Sequence, residues 1–221
     1  MPRLLLTLAA LCLCSQHLGA EEEAPFDAAI AFGARPSVSH LRMSPDGMSV
    51  AWIAPTTGQG SAVYTMNLAK DSKAKVVLTA NGKPERLSAC AWVSNERLVC
   101  TVGWLQRDAM FGVMPFSRVV AVNIDGTNLQ LLSKRDKPYA PGVQLHGGEI
   151  IDWLPETDGS VLMTRAYLPD DRGTRTASND EGLGVDQVDT RDLRSHRVEM
   201  PRRDAWDYIS DGRGRVRILA M

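Results

Sequence analysis

Residues 38–54 read VSHLRMSPDGMSVAWIA: a strand-like run Val38–Met43, a turn Ser44-Pro45-Asp46-Gly47, and a second run Ser49–Ala54. Gly at the turn tolerates positive φ, so an Asp-Gly pair between alternating apolar runs marks a tight hairpin. Two further runs follow it. A Gly-rich gap (Thr57-Gly58-Gln59-Gly60) leads to Ala62–Leu68, and a polar turn at Lys70-Asp71-Ser72 leads to Lys75–Thr79.

The same unit then restarts. Leu87–Trp92 turns at Ser94-Asn95 into Arg97–Trp104, followed by Arg118–Ile124, the turn Asp125-Gly126-Thr127, and Asn128–Leu132. A third round runs Glu149–Trp153, turn Glu156-Thr157-Asp158-Gly159, Ser160–Tyr167, Gly184–Thr190 and His196–Met200. A fourth opens with Ala205–Ser210, the turn Asp211-Gly212-Arg213, and Arg215–Met221. The first turns of the rounds fall at Asp46, Asn95, Asp158 and Asp211, spaced by 49, 63 and 53 residues. Four antiparallel strands restarting at roughly that period are the signature of β-propeller blades. A β-sandwich also gives many short strands with turns, but without a restarting four-strand unit. The expected fold is all-β: an incomplete β-propeller of about three and a half four-stranded blades, at about 38–80, 87–133, 149–200 and 205–221. Trp52, Trp92, Trp153 and Trp206, in the first two strands of successive rounds, are expected to pack between blades.

The chain before the repeat differs in character. Arg3, the apolar stretch Leu4–Cys14 and small residues up to Ala20 have the layout of a secretory signal peptide, giving a segment 1–20 followed by an arm 21–37. The apolar run is too short for a membrane-spanning helix, which needs about 20 residues. An exported, periplasmic or secreted protein without a stable membrane anchor is the expectation. In the arm, apolar positions 26, 29 and 30 suggest one or two helical turns closed by Gly33. Loss of the signal segment leaves two cysteines of four, Cys90 and Cys100. On adjoining antiparallel strands these would sit opposite each other and form a disulfide, or they are two small apolar residues of a core.

Composition narrows function. The 221 residues carry a formal net charge of −1 with 44% hydrophobic and 23% charged residues, which excludes disorder and gives no basic excess for nucleic acid. The chain stops at Met221 inside an alternating run, so further blades are expected beyond it.

The run Phe32–Trp52 (FGARPSVSHLRMSPDGMSVAW), followed by Ala89–Val99 (ACAWVSNERLV), resembles the opening of bacterial secreted serine peptidases of the prolyl oligopeptidase family. The resemblance covers about residues 26–133, and the rest only as blade pattern. It implies a propeller that filters peptide access to an α/β-hydrolase domain, with that domain and peptides as partners. The nucleophile of such a domain sits in a G-x-S-x-G elbow. This sequence has none: Gly58-Gln59-Gly60-Ser61 is followed by Ala62-Val63. No catalytic residue is therefore assigned. A non-catalytic propeller module for periplasmic protein–protein binding is the alternative.

Other candidates are weighed residue by residue. His146-Gly147-Gly148 looks like part of an esterase oxyanion loop but falls between two blades without a nucleophile. His40 and His196 have no second ligand at metal-binding spacing, so neither metal nor cofactor is expected. Gly103–Pro115, with Trp104, Met110, Phe111 and Met114, is too long for a tight hairpin. It reads as a loop that gates substrate or touches a partner domain, or one folded back on its own blade. The polar loop Pro169–Gly184 reads as solvated, without the paired glutamates that some exopeptidases of the family use to hold an amino terminus.

Overall fold

The computed structural model describes residues 27–69, 73–133, 144–154, 159–169 and 180–221. The segment 1–20 expected to be a signal peptide, the turns expected at 70–72 and 156–158 and most of the expected loop 169–184 lie outside the described residues. Residues up to Ala34 and residues from Arg35 onward form two separate units. The first contains α1, Ala28–Gly33, whose first turn is capped by Asp27: its carboxylate accepts from the Ala29 and Ile30 amides.

The second unit consists of antiparallel sheets in strict chain order. The first sheet holds β1 Ser39–Met43, β2 Ser49–Pro55, β3 Ser61–Asn67 and β4 Lys75–Ala80. The second holds β5 Arg86–Ser94, β6 Arg97–Asp108, β7 Gly112–Asn123 and β8 Gln130–Leu131. The third holds β9 Ile150–Asp152, β10 Ser160–Tyr167, β11 Gly182–Asp189 and β12 Ser195–Arg202. β13 Asp207–Ser210 and β14 Val216–Ala220 pair as a two-stranded fourth sheet. The expected all-β, blade-like organisation is therefore present, and the sheets do not close into a ring.

Side-chain alternation explains why consecutive sheets stack. Ala51, Ile53, Val63 and Val77 of the first sheet meet Leu87, Cys90, Trp92, Leu98, Cys100 and Val122 of the second. The second sheet's other face presents Val93, Val99, Val119, Ala121 and Leu132 to Val161, Met163 and Val188 of the third. Leu162 and Val185 then meet Tyr208 of the fourth. Each sheet thus buries both faces where it has two neighbours, and full burial of one such aliphatic side chain is worth about 1.5–3 kcal/mol.

Polar pins cross the same interfaces. Trp92 Nε1 donates to the Arg42 carbonyl at 3.1 Å, and the Asp46 amide donates to Asn95 Oδ1 at 3.0 Å, tying the first two hairpins. The Gly214 amide donates to Asp152 Oδ2 at 2.8 Å, and Ser210 Oγ to the Ile151 carbonyl at 2.8 Å, tying the last two. Within the first turn, Gly47 has φ +73°, and the Asp46 carboxylate accepts from Ser44 Oγ at 2.6 Å and from the Met48 amide at 3.0 Å. That is why Ser-Pro-Asp-Gly makes this hairpin: the acid replaces backbone partners that the turn cannot supply.

Two sequence expectations need correction. Gly103–Pro115 is not a loop. It is the distal half of the β6–β7 hairpin, paired from Arg97↔Asn123 out to Asp108↔Gly112. The turn is tight because Asp108 Oδ1 accepts from the Met110 and Phe111 amides and Gly112 takes φ +77°. The tryptophans also do not share one role. Trp92 lies in the core between the first two sheets, whereas Trp52 stacks on Tyr64 at 5.6 Å on the opposite face of the first sheet. Trp153 and Trp206 sit beyond the ends of their strands, outside the inter-sheet cores.

Candidate peptide-accepting cleft

The first strands of the four sheets converge on one cleft of about 740 Å3. β1 contributes His40 and Arg42, β5 the stretch Ala89–Ala91, and β9 Ile150 with the following Trp153; β13 contributes Asp207 with the preceding Trp206. The connector Gln144–Glu149 closes one wall.

Local backbone explains how these side chains reach it. β1 slips register between Ser39 and Arg42, and His40 takes φ +51° in that irregularity. A residue at a bulge is re-aimed away from the regular pleat, so His40 and Arg42 can both line the cleft. On the connector, the Ser117 amide donates to the Leu145 carbonyl at 2.9 Å, and the Glu149 amide to Thr164 Oγ1 at 2.9 Å. Gly147 and Gly148 let this segment lie against the second and third sheets. A Cβ on Gly147 would fall 2.7 Å from Arg118 Cα, and one on Gly148, at φ +95°, 2.2 Å from the Thr164 carbonyl oxygen. The His146-Gly147-Gly148 motif is thus explained by close backbone approach. His146 itself is exposed on the cleft wall.

The chemistry offered is recognition. The wall is largely apolar, with two indole rings; Trp206 is 70% exposed. Polar and charged groups of both signs stand around it: His40, Arg42 and His146 against Glu149 and Asp207. An exposed aromatic face beside carboxylates suits an extended chain with apolar and cationic groups. Among the described residues no group of three or more His, Cys, Asp or Glu could hold a metal ion. No helix among them is long and apolar enough to cross a membrane, which says nothing of a β-barrel.

The residues singled out from sequence lie elsewhere. Trp104, Met110, Phe111 and Met114 do not line the cleft. Trp104 stacks on Phe116 at 5.4 Å with the Arg118 guanidinium over its ring, stiffening the long hairpin, and Met110 and Phe111 are exposed at its tip. Cys90 and Cys100 face each other across β5 and β6 and are joined as a disulfide; Cys90 also reaches the cleft wall. His196 is exposed on β12, away from the cleft. Of the loop 169–184, Asp180 pairs with Arg197 at 2.8 Å and Glu181 with Arg203.

Sequence reading missed three features. Trp153 and Trp206 belong to the cleft. Arg97, 1% exposed, donates from Nε to Thr190 Oγ1 at 3.0 Å and from Nη2 to the Asn128 carbonyl at 3.0 Å, joining the second and third sheets. Arg165 pairs with buried Asp186 at 3.0 Å and donates to the Leu132 carbonyl at 2.8 Å, while Tyr167 donates its hydroxyl to the same carboxylate. An arginine in a strand next to a hairpin turn reads as solvated from sequence; only the facing sheet reveals the acceptors.

No family model matches the sequence, and no curated protein matches it. Among solved structures the chain is similar to an acylaminoacyl peptidase in complex with Z-Gly-Gly-Phe-chloromethyl ketone, at 14% identity and TM-score 0.46, over 80% of this chain and 27% of that one. It is similar to a puromycin-hydrolyzing peptidase of Mycobacterium tuberculosis at 16% identity and TM-score 0.35, over 76% of this chain and 29% of that one. It is also similar to the Synechocystis apocarotenoid oxygenase at 14% identity and TM-score 0.40, over 80% of this chain and 41% of that one. The chain spans less than a third of the two peptidases' length. Likeness at this level, shared with an oxygenase, carries no argument about activity. It is similar as well to the β-propeller domain of the Trilobed protease from Pyrococcus furiosus, at 11% identity and TM-score 0.30, over 73% of this chain and 58% of that one.

Proposed function

We propose that this chain is a non-catalytic propeller portion of an exported serine peptidase, and that it governs the access of peptides to an α/β-hydrolase domain. The observation that carries the reading is the cleft where the first strands converge, with Trp153, Trp206 and charged groups of both signs on its wall. The sequence supports the non-catalytic part, because it holds no G-x-S-x-G elbow. Unstructured peptides with apolar and basic residues are the class that such a wall accepts. Titration of the purified chain with such peptides should quench its tryptophan emission, and Trp206→Ala should weaken binding several-fold without changing the melting temperature. Covalent labelling of the chain by a serine-directed fluorophosphonate would overturn the non-catalytic reading, and absence of any peptide-dependent signal would overturn the gating reading.

The second reading, a propeller module for periplasmic protein–protein binding, is favoured by the β6–β7 hairpin, whose tip exposes Leu105, Met110, Phe111 and Val113. The reading frame after Met221 separates the two. An elbow-bearing hydrolase domain supports the first, and further blades followed by a stop support the second.

A further inference from the structure

The titratable groups on the cleft wall are sorted by sheet. The first sheet adds His40 and Arg42, two residues apart on β1. Every residue that the second sheet adds is uncharged, with Ala89–Ala91 at its centre. The acids stand beyond it: Glu149 on the connector into β9, with His146 on the same connector, and Asp207 on β13 of the fourth sheet. Two observations mark the cationic side as built. His40 holds φ +51°, a left-handed conformation that costs a non-glycine residue energy and persists only where the surroundings hold it. Arg42 is fixed through its backbone, whose carbonyl accepts from Nε1 of buried Trp92 at 3.1 Å. Its guanidinium carries five donors, is exposed on the cleft, and has no hydrogen bond or ion pair among the described residues.

We propose, on the reading of the cleft as peptide-accepting, that it selects peptides by a free C-terminal carboxylate, which Arg42 binds with His40 beside it. A carboxylate offers two parallel acceptors to the guanidinium fork, and a backbone carbonyl offers one. Arg42 comes to this contact with its main chain anchored and its donors unspent, so little ordering is needed to make it. The end of a chain is the source of the anion that fits. A terminal carboxylate needs cations at one place only, and the first sheet supplies them at one place only. The rest of the peptide then follows the uncharged wall of the second sheet, its basic groups directed to Glu149 and Asp207. His40 and Arg42 are thus the residues that tell a free peptide end from an internal loop of a longer chain.

One peptide of apolar and basic residues, acetylated at its start and prepared both as the free acid and as the C-terminal amide, tests this by quenching of tryptophan emission. The wild type should bind the acid about five- to tenfold more tightly than the amide, and the preference should shrink in molar salt. Arg42→Gln should bind both forms alike, at the affinity that the wild type shows for the amide. Arg42→Lys should keep part of the preference, because lysine retains the charge and loses the fork. His40→Gly should melt higher, since glycine takes that φ freely, and still lose part of the preference; an unchanged preference would overturn the role of His40. Equal binding of acid and amide by the wild type would overturn the inference and leave the peptide-accepting cleft standing. An amidated peptide with a glutamate near its end that binds as tightly as the acid would assign the contact to acidic side chains and overturn it equally. No signal with any of the three peptides would overturn the reading of the cleft itself, and this inference with it.

Discussion

Arg97 shows what a single residue does in this architecture. Its guanidinium is buried between the second and third sheets and satisfied by neutral oxygens: Thr190, Asn123 and the Asn128 carbonyl. Burial lowers its pKa, with the neighbouring Arg191 adding to the effect, but an arginine keeps its charge at any ordinary pH. Arg97→Met keeps the volume and removes the donors, orphaning the acceptors of fully buried Thr190 while those of Asn123 and Asn128, at the part-buried edge, fall back on water. Each orphaned group costs about 1–3 kcal/mol, partly offset because no charge is desolvated, so a net loss of about 2 kcal/mol is expected in urea unfolding. Tyr167 gives a pH signature. Burial first, and then its hydrogen bond to the Asp186 carboxylate, push its phenol up to about 12. The folded state therefore holds this proton more tightly than the unfolded chain, whose tyrosines titrate near 10. Its contribution is complete below about pH 10 and is lost as the pH rises to about 12. The urea midpoint of the wild type should fall over that window, and in Tyr167→Phe that part of the fall should be absent.

At the scale of elements, Cys90 and Cys100 lock β5 to β6 directly opposite each other, closing a loop of sequence separation 10 around the Ser94–Arg97 turn. A short closed loop removes modest entropy from the unfolded chain, so replacing both cysteines by alanine should lower stability by about 2–3 kcal/mol under oxidising conditions. With reductant present, the wild type and the double variant should converge; a persistent gap would assign the effect to packing. The two strands were legible in the sequence from the apolar runs on either side of the Ser94-Asn95 turn, but the register that sets Cys90 opposite Cys100 was not, since it shifts between Leu87 and Ala89 and between Trp92 and Ser94. Ser160–Tyr167 is a strand over the very residues that the sequence marks, as a short, largely apolar run after the Asp158-Gly159 pair. The β6–β7 extension was not legible. Pro115 and Gly112 read as loop formers, whereas here Gly112 closes the turn and Pro115, opposite Leu105, lies where the hairpin has outrun the sheet. The cleft was the least legible part. His40, Arg42, His146, Trp153 and Trp206 are scattered over more than 160 residues of sequence, and only the convergence of first strands brings them to one wall.

For the whole molecule, stacking of sheets makes stability approximately a sum of sheets and nearest-neighbour junctions. The junctions are unequal. Among the described residues, eight buried apolar side chains lie between the second and third sheets, with the Arg97 bridges and the Arg165 bond to Leu132. Between the third and fourth lie four, and the fourth sheet has two strands where the others have four. Opening β13–β14 exposes Tyr208 and Leu162 but leaves both junctions among the first three sheets intact. Opening the second sheet exposes two cores at once. Sub-global opening should therefore begin at the fourth sheet, at a free energy well below that of global unfolding. In native-state hydrogen exchange, amides of 208–219 should exchange long before those of 98–101 and 119–122. Uniform exchange through all four sheets would instead mean one cooperative unit, in which the loss of any junction is felt by all.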